Sequence, residues 1–542
     1  MLGVTLVLAC CAVVALLLLY GWRQSYWRDR GVACPPGWPL LGHVANLLLL
    51  RRSPGQFLRD LYCAAPGEPL VGFYIFGRPA VLIRSPELLR SVLVKDFATF
   101  ADRYNTSDEQ SDPLGTRNLF VIKGPEWKFL RAKLSPTFTS GKMRAMFPLV
   151  VSCDQQMLHY LRSKLSAQGT VELDIKEVTA RCTTDVINSC AFGISSNSVG
   201  NPDAEFRELG KKTFEYGIHR SLEVLVFFFT PYLSRLLRCV YLQKETNEFL
   251  RRVFWETLTA REKGTAAGAP LRNDLIDHLI QLKNQGSIQR DADDAADGPD
   301  DGDAALALPV SDADEDVLRR KFDFSGDDLL AQAAIFFVAG FETSSSTMTF
   351  CLYELALQPD LQTRLRNEIR DQLQRAGGRF SYNMIHDMRY LDMVISETLR
   401  KYPTLPFLDR TCLRDYAVPG RPGCVIERGT PVYVSLLGLH TDPHYFPQPH
   451  VFDPERFSDK STINPFTYMP FGNGPHNCIG MRFGLMSAKA GVAHVLSQFE
   501  VSVAADTPVP LPMATRGIVA STVGGVPLRF RSDPLVELAR SV

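Results

Sequence analysis

Leu2 through Tyr20 form an apolar run without a charge, about the ~20 residues a helix needs to cross a bilayer. Arg23, Arg28 and Arg30 follow it, and only the terminal amine precedes it. That asymmetry predicts a transmembrane anchor over residues 1–21 with the rest of the chain on the cytosolic side. A cleaved signal peptide is the rival reading, but the run lacks the basic segment that would open one. Residues 22–42 turn basic and then rich in proline and glycine (Cys34-Pro35-Pro36-Gly37-Trp38-Pro39), the composition of a stiff linker. The folded domain is expected over residues 43–542.

Within that domain the pattern changes period. Val71–Phe76 and Ala80–Ile83 are β-rich runs around Gly77-Arg78-Pro79 and predict a hairpin. From Pro86 onward the spacing is mostly helical. Pro125 suits a first helical residue and puts Trp127 and Arg131 on one face, four positions apart. Residues 205–262 alternate helical stretches with an apolar patch, Leu222–Phe229. Residues 286–316 carry many aspartates among alanine and glycine without an aromatic, which predicts an acidic, disordered surface loop. Ser325 then caps a helix that runs through Leu355, with Asp327 and Asp328 in its first turn. Gly340, Glu342, Thr343 and Ser344 interrupt its apolar middle. Such a run invites a kink, and its acid and hydroxyl are costly in a core unless used or solvated. Glu397 and Arg400 share a helix face that Tyr402-Pro403 terminates. Val526–Phe530 is a β-rich end.

The formal net charge is +0 at pH 7 over 542 residues, which gives no reason to expect a nucleic-acid partner. Twelve cysteines are scattered without metal-finger or disulfide-framework spacing, as in a reducing compartment. One cysteine stands apart. Cys478 sits in Phe471-Gly472-Asn473-Gly474-Pro475-His476-Asn477-Cys478-Ile479-Gly480, ahead of a stretch with helical spacing. A thiolate near a helix N-terminus, on a loop stiffened by glycine and proline, suits one bond to a soft metal. A zinc site fits poorly, because no second ligand cluster accompanies it.

The loop resembles the haem-binding signature of the cytochrome P450 superfamily, most closely the animal clan of drug-metabolising and insect detoxification enzymes. The resemblance implies that Cys478 is the axial thiolate ligand of iron in haem b (iron protoporphyrin IX). Four further motifs stand in family order. Trp127-x-x-x-Arg131 and Arg410 imply contacts to a haem propionate, and Phe471 belongs to the cofactor loop. Ala339-Gly340-Phe341-Glu342-Thr343 implies an acid–alcohol pair, Glu342 and Thr343, that manages proton delivery in catalysis. Glu397 and Arg400, with Arg456 from Pro454-Glu455-Arg456-Phe457, imply a buried structural charge network. His476 departs from the pattern, which has arginine there: either it meets the propionate as a neutral or charged donor, or the contact is lost.

The fold implied is mainly α with small β-sheets, one globular domain behind the anchor. Residues Leu222–Phe229 would roof the substrate pocket and dip into the membrane, and the turn at Met513–Val519 would enter that pocket. The activity implied is a monooxygenase inserting one oxygen atom of O2 into small lipophilic substrates (xenobiotic, steroid or fatty-acid-like). NADPH–cytochrome P450 reductase, with cytochrome b5 as a second donor, would supply electrons at the endoplasmic reticulum membrane. A thiolate-haem isomerase or dehydratase and a non-enzymatic haem sensor are the alternatives.

Overall fold

The computed structural model describes residues 25–289, 324 and 326–538. The expected anchor, residues 290–316 of the expected acidic loop, and Ser325 lie outside them. Among the described residues no helix is long and apolar enough to cross a membrane.

The strands are β1 (Leu70–Ile75), β2 (Arg78–Ile83), β3 (Thr170–Asp174), β4 (Phe407–Thr411), β5 (Tyr416–Ala417), β6 (Val425–Ile426), β7 (Pro431–Ser435), β8 (Phe499–Val503) and β9 (Pro527–Ser532). They form sheets ordered β1-β2-β7-β4, β3-β9-β8 and β5-β6. The first hairpin turns on Phe76 and Gly77, at φ 50° and 82°. Two successive left-handed residues make the tight turn that matches strand twist. Arg78 and Pro79, expected in the turn, therefore pair within the strand.

The helix Gly326–Leu357 runs 32 residues and is buried on nearly all sides, as expected for a helix that is apolar all round. It packs on the helices Ile175–Ile187 and Met481–Gln498. Thr183 Oγ1 donates to Phe341 O at 2.9 Å, and Thr179 Oγ1 lies 2.9 Å from Thr349 Oγ1. The segment around Gly340 is continuous α-helix. A Cβ at Gly340 would fall 2.5 Å from Ile187 Cδ1, so this glycine serves close helix packing.

Buried apolar side chains form two cores. One surrounds the long helix; the other lies on the four-stranded sheet. Phe227, Phe228 and Phe229 belong to the second, with Phe229 stacked 5.2 Å from Tyr433. The apolar patch thus turns its phenylalanines inward, while its first residue Leu222 and the flanking Ile218 (61% exposed) face out. The linker is also more than a spacer. Trp27 is fully buried and gives its indole N–H to Phe73 O at 3.1 Å, so the folded body begins well before residue 43.

Candidate active site

The cysteine loop is held by its own backbone. Cys478 N donates to Phe471 O at 2.8 Å, and Asn477 N to Gly474 O at 2.9 Å. Gly474 has φ 72°, and a Cβ there would lie 2.1 Å from Leu93 O, so no side chain fits. The Cys478 side chain lies deep in the fold yet is open, because it faces a cavity. Burial pushes its thiol above the usual range; the Gly480 amide, Arg131 and Arg103 oppose this without reversing it. The expected help from the following helix is therefore insufficient alone, and a bound metal cation would complete the deprotonation.

The cavity, about 240 Å³ in volume, lies at the seam of the two cores. Phe471, Gly472, His476, Asn477 and Cys478 of the cysteine loop line it together with Ala339, Thr343, Ser344 and Thr347 of the long helix. A second lobe of about 120 Å³ shares Thr343, Phe471 and Cys478 and extends towards Phe138 and Cys190. Leu119, Phe120, Leu405 and Leu408 also line the main cavity. The Leu222–Phe229 patch and the turn at Met513–Val519 do not. Their Val224, Phe227, Phe228 and Ile518 line a separate small cavity beside Tyr216.

Arg103 and Arg131 put cationic groups on the cavity lining, and Arg410, close enough to Arg103 to feel its charge, is not among the lining residues. Arg410 is fully buried, gives one N–H to Asp409 O at 2.8 Å, and leaves Nε without a partner. Burial, then Arg103, depress its pKa to about 9. Arg103 lines the cavity, and burial lowers its pKa too. The nearby Asp409 carboxylate is already taken up by Tyr104 N, Asn105 N and the Asn105 side chain. Buried guanidinium groups without carboxylate partners are expensive; a ligand carrying carboxylates would relieve them. An apolar slot with an open thiol and arginines in its lining fits haem b with its propionates.

Trp127 and Arg131 come from the helix Gly124–Leu134. The Trp127 ring lies 3.7 Å from the His476 ring, centroid to centroid, and His476 Nε2 lies 2.5 Å from Ala101 O. A carbonyl only accepts, so Nε2 carries the proton and spends it there. Burial, with Arg410 and Arg103 nearby, pushes the His476 pKa well down. In its neutral form, with Nε2–H given to Ala101 O, His476 has no further N–H to offer a propionate. Arg131 gives two N–H groups to Asn477.

Thr343 and Glu342 are neighbours in sequence but not in direction. Thr343 lines the cavity and its Oγ1 donates to Ala339 O at 2.7 Å. Glu342 is not among the lining residues; burial raises its pKa, against the pull of Lys176 and Arg207. Away from the cavity, Glu397 and Arg400 are both fully buried and doubly bonded at 2.6 and 2.7 Å. Arg456 Nε lies 3.5 Å from the same carboxylate.

Sequence reasoning passed over Arg103 and Asn477. Arg103 carries no pattern signal; Asn477 stood inside the loop and was read only as filler.

The family model for cytochrome P450 matches residues 32–526. Cytochrome P450 6k1 of Blattella germanica is 49% identical over 527 residues, 97% of this chain and 96% of its own. Probable cytochrome P450 6g2 of Drosophila melanogaster is 40% identical over 98% of this chain and 99% of its own, and cytochrome P450 6a2 of the same fly 40% over 95% and 96%. A match of this extent takes in the cysteine loop, the long helix and the arginine cluster alike, and the chain belongs to the cytochrome P450 family, haem b-binding enzymes of the monooxygenase class.

Proposed function

We propose that the protein inserts one oxygen atom from O2 into small lipophilic substrates, using NADPH electrons delivered by a reductase, with Cys478 as the iron ligand. The observation that carries this reading is that the open Cys478 side chain and Thr343 line one cavity. When bound, the haem supplies an iron that activates O2 with two electrons and two protons, one oxygen atom entering substrate and the other leaving as water.

The chain's own residues do the rest. Arg103 and Arg410 hold the propionates. Trp127 and His476 form a flat piece of the lining. Leu119, Phe120, Ile335, Phe336 and Leu405 make an apolar space that takes up hydrophobic substrate and keeps water out. Thr343 presents its oxygen to the reacting side and holds a water through which a proton passes. Glu342 serves that traffic from the other face of the helix, towards Lys176 and Arg207. The Glu397–Arg400–Arg456 network is structural.

The location we assign is the endoplasmic reticulum membrane, with residues 1–21 as anchor and cytochrome b5 as a second electron donor. Exposed Trp38, Leu40 and Phe76, on segments joined by the Gly42–Ile75 bridge, support a membrane-facing side.

Cys478→Ser tests the assignment. A hydroxyl does not replace a soft charged sulfur, so the variant should lose the thiolate-type spectrum of the ferrous–CO complex. An unchanged spectrum would refute Cys478 as the ligand. Incorporation of label from 18O2 into product separates monooxygenation from isomerisation.

A further inference from the structure

Two residues of the helix Gly124–Leu134, one turn apart, grip two consecutive residues of the cysteine loop. Trp127 lies against the His476 ring at 3.7 Å. Arg131 Nη1 donates to Asn477 O at 2.9 Å, and Arg131 Nη2 to Asn477 Oδ1 at 2.7 Å. Arg131 is 7% exposed, so these charge-assisted bonds form out of water, where they are strong. The next residue is Cys478.

We propose that Asn477 is a positioning residue for the axial thiolate: its carbonyl and amide oxygens seat the Arg131 guanidinium in a two-point fork that fixes the Cys478 sulfur against the cavity wall. The inference rests on Cys478 being the iron ligand. The fork has a geometric reason. The loop's own bonds, Cys478 N to Phe471 O and Asn477 N to Gly474 O, set its internal shape but not its placement against the rest of the protein. A planar guanidinium with two donors on one residue fixes orientation as well as distance, which a single bond does not.

The test uses the haem-loaded full chain and its Asn477→Ala, Asn477→Asp and Arg131→Lys variants. The readout is the rate at which the ferrous–CO complex loses its thiolate-type spectrum, alongside the melting temperature of the loaded protein. Asn477→Ala keeps the backbone acceptor but loses the 2.7 Å bond, and the thiolate-type spectrum should decay about ten-fold faster or more, on the scale of one hydrogen bond to a charged group. Asn477→Asp keeps an oxygen in the same place and should hold the spectrum as wild type does. Arg131→Lys, a point charge without a fork, should fall between. A purely structural role would move melting temperature and spectral decay together; positioning moves the decay with little change in melting. If Asn477→Ala loads no haem, the comparison of Asn477→Asp with Arg131→Lys still decides. Equal decay in wild type and Asn477→Ala, or equally fast decay in Asn477→Asp and Asn477→Ala, would overturn the proposal. The outcome stays separable from the ligand assignment, since in either case a thiolate-type spectrum at time zero leaves Cys478 in place.

Discussion

His476 donates its Nε2 proton to Ala101 O at 2.5 Å while its ring lies 3.7 Å from that of Trp127. The histidine thus ties the cysteine loop to the segment that carries Arg103. Its place in the family pattern belongs to a charged residue, but here it works as a neutral strut.

His476→Ala should therefore loosen the loop without changing the iron ligand. A buried carbonyl loses its partner, at about 1–3 kcal/mol. The ratio of haem to protein after gel filtration should fall, while the remaining loaded fraction keeps a thiolate-type ferrous–CO spectrum. Full haem retention would show that the strut is idle.

Arg410 offers a test of sign. Its guanidinium is buried beside Arg103, with Nε unpartnered. Without haem this is an uncompensated charge, so Arg410→Met should stabilise the haem-free protein, by up to about 1–4 kcal/mol. With haem the same change removes a propionate donor, at about 1.5–3 kcal/mol. Melting temperatures of the two forms should move in opposite directions. Movement in the same direction would mean that Arg410 does not hold the cofactor.

Arg400 is a different case, because its charge is paired. It gives two N–H groups to Glu397, one to His440 O at 2.8 Å and one to Pro449 O at 2.9 Å. Arg400→Ala leaves Glu397 as a buried carboxylate short of its partner, a cost of about 3–5 kcal/mol against a total stability of about 5–15 kcal/mol. Little soluble, haem-loaded protein should be recovered. A normal melting temperature would contradict a structural role.

These residues also show where the sequence was readable. Cys478 stood out because glycine and proline around one cysteine have few explanations. The Glu397–Arg400 pair followed from helical spacing and the chain's later Arg456. Arg103 had no such mark: it lies between Asp102 and Tyr104 in a loop, and its importance arises only where long-range folding brings it beside His476. The Leu222–Phe229 run was ambiguous for a similar reason, since apolar composition does not say which sheet will receive the rings. Glu342 is instructive in another way. Adjacent residues on an α-helix point about 100° apart, so a pair at 342 and 343 could not both face the cavity squarely, and periodicity alone contained that fact.

Thr343 carries the sharpest functional test. Its hydroxyl proton is committed to Ala339 O at 2.7 Å, which leaves the oxygen's lone pairs for the cavity. At rest the hydroxyl is thus an acceptor there, able to hold a water rather than to protonate anything itself. Thr343→Ala removes that acceptor and frees one helix carbonyl, but touches neither Cys478 nor the arginine cluster. Haem content, CO binding and reduction rate should match wild type. Proton delivery should suffer: more of the NADPH consumed should appear as hydrogen peroxide, and less as product. General acid–base groups contribute about 10²–10⁴-fold, and water substitutes in part, so the loss of product should sit at or below the low end. Thr343→Ser restores the hydroxyl and should restore coupling. The measurement is the stoichiometry of NADPH, peroxide and product for the three proteins with one turned-over substrate. Unchanged coupling in Thr343→Ala would leave the hydroxyl as a partner for its own helix only, and with no proton relay to explain, an isomerase would account for the same cavity as well as a monooxygenase does.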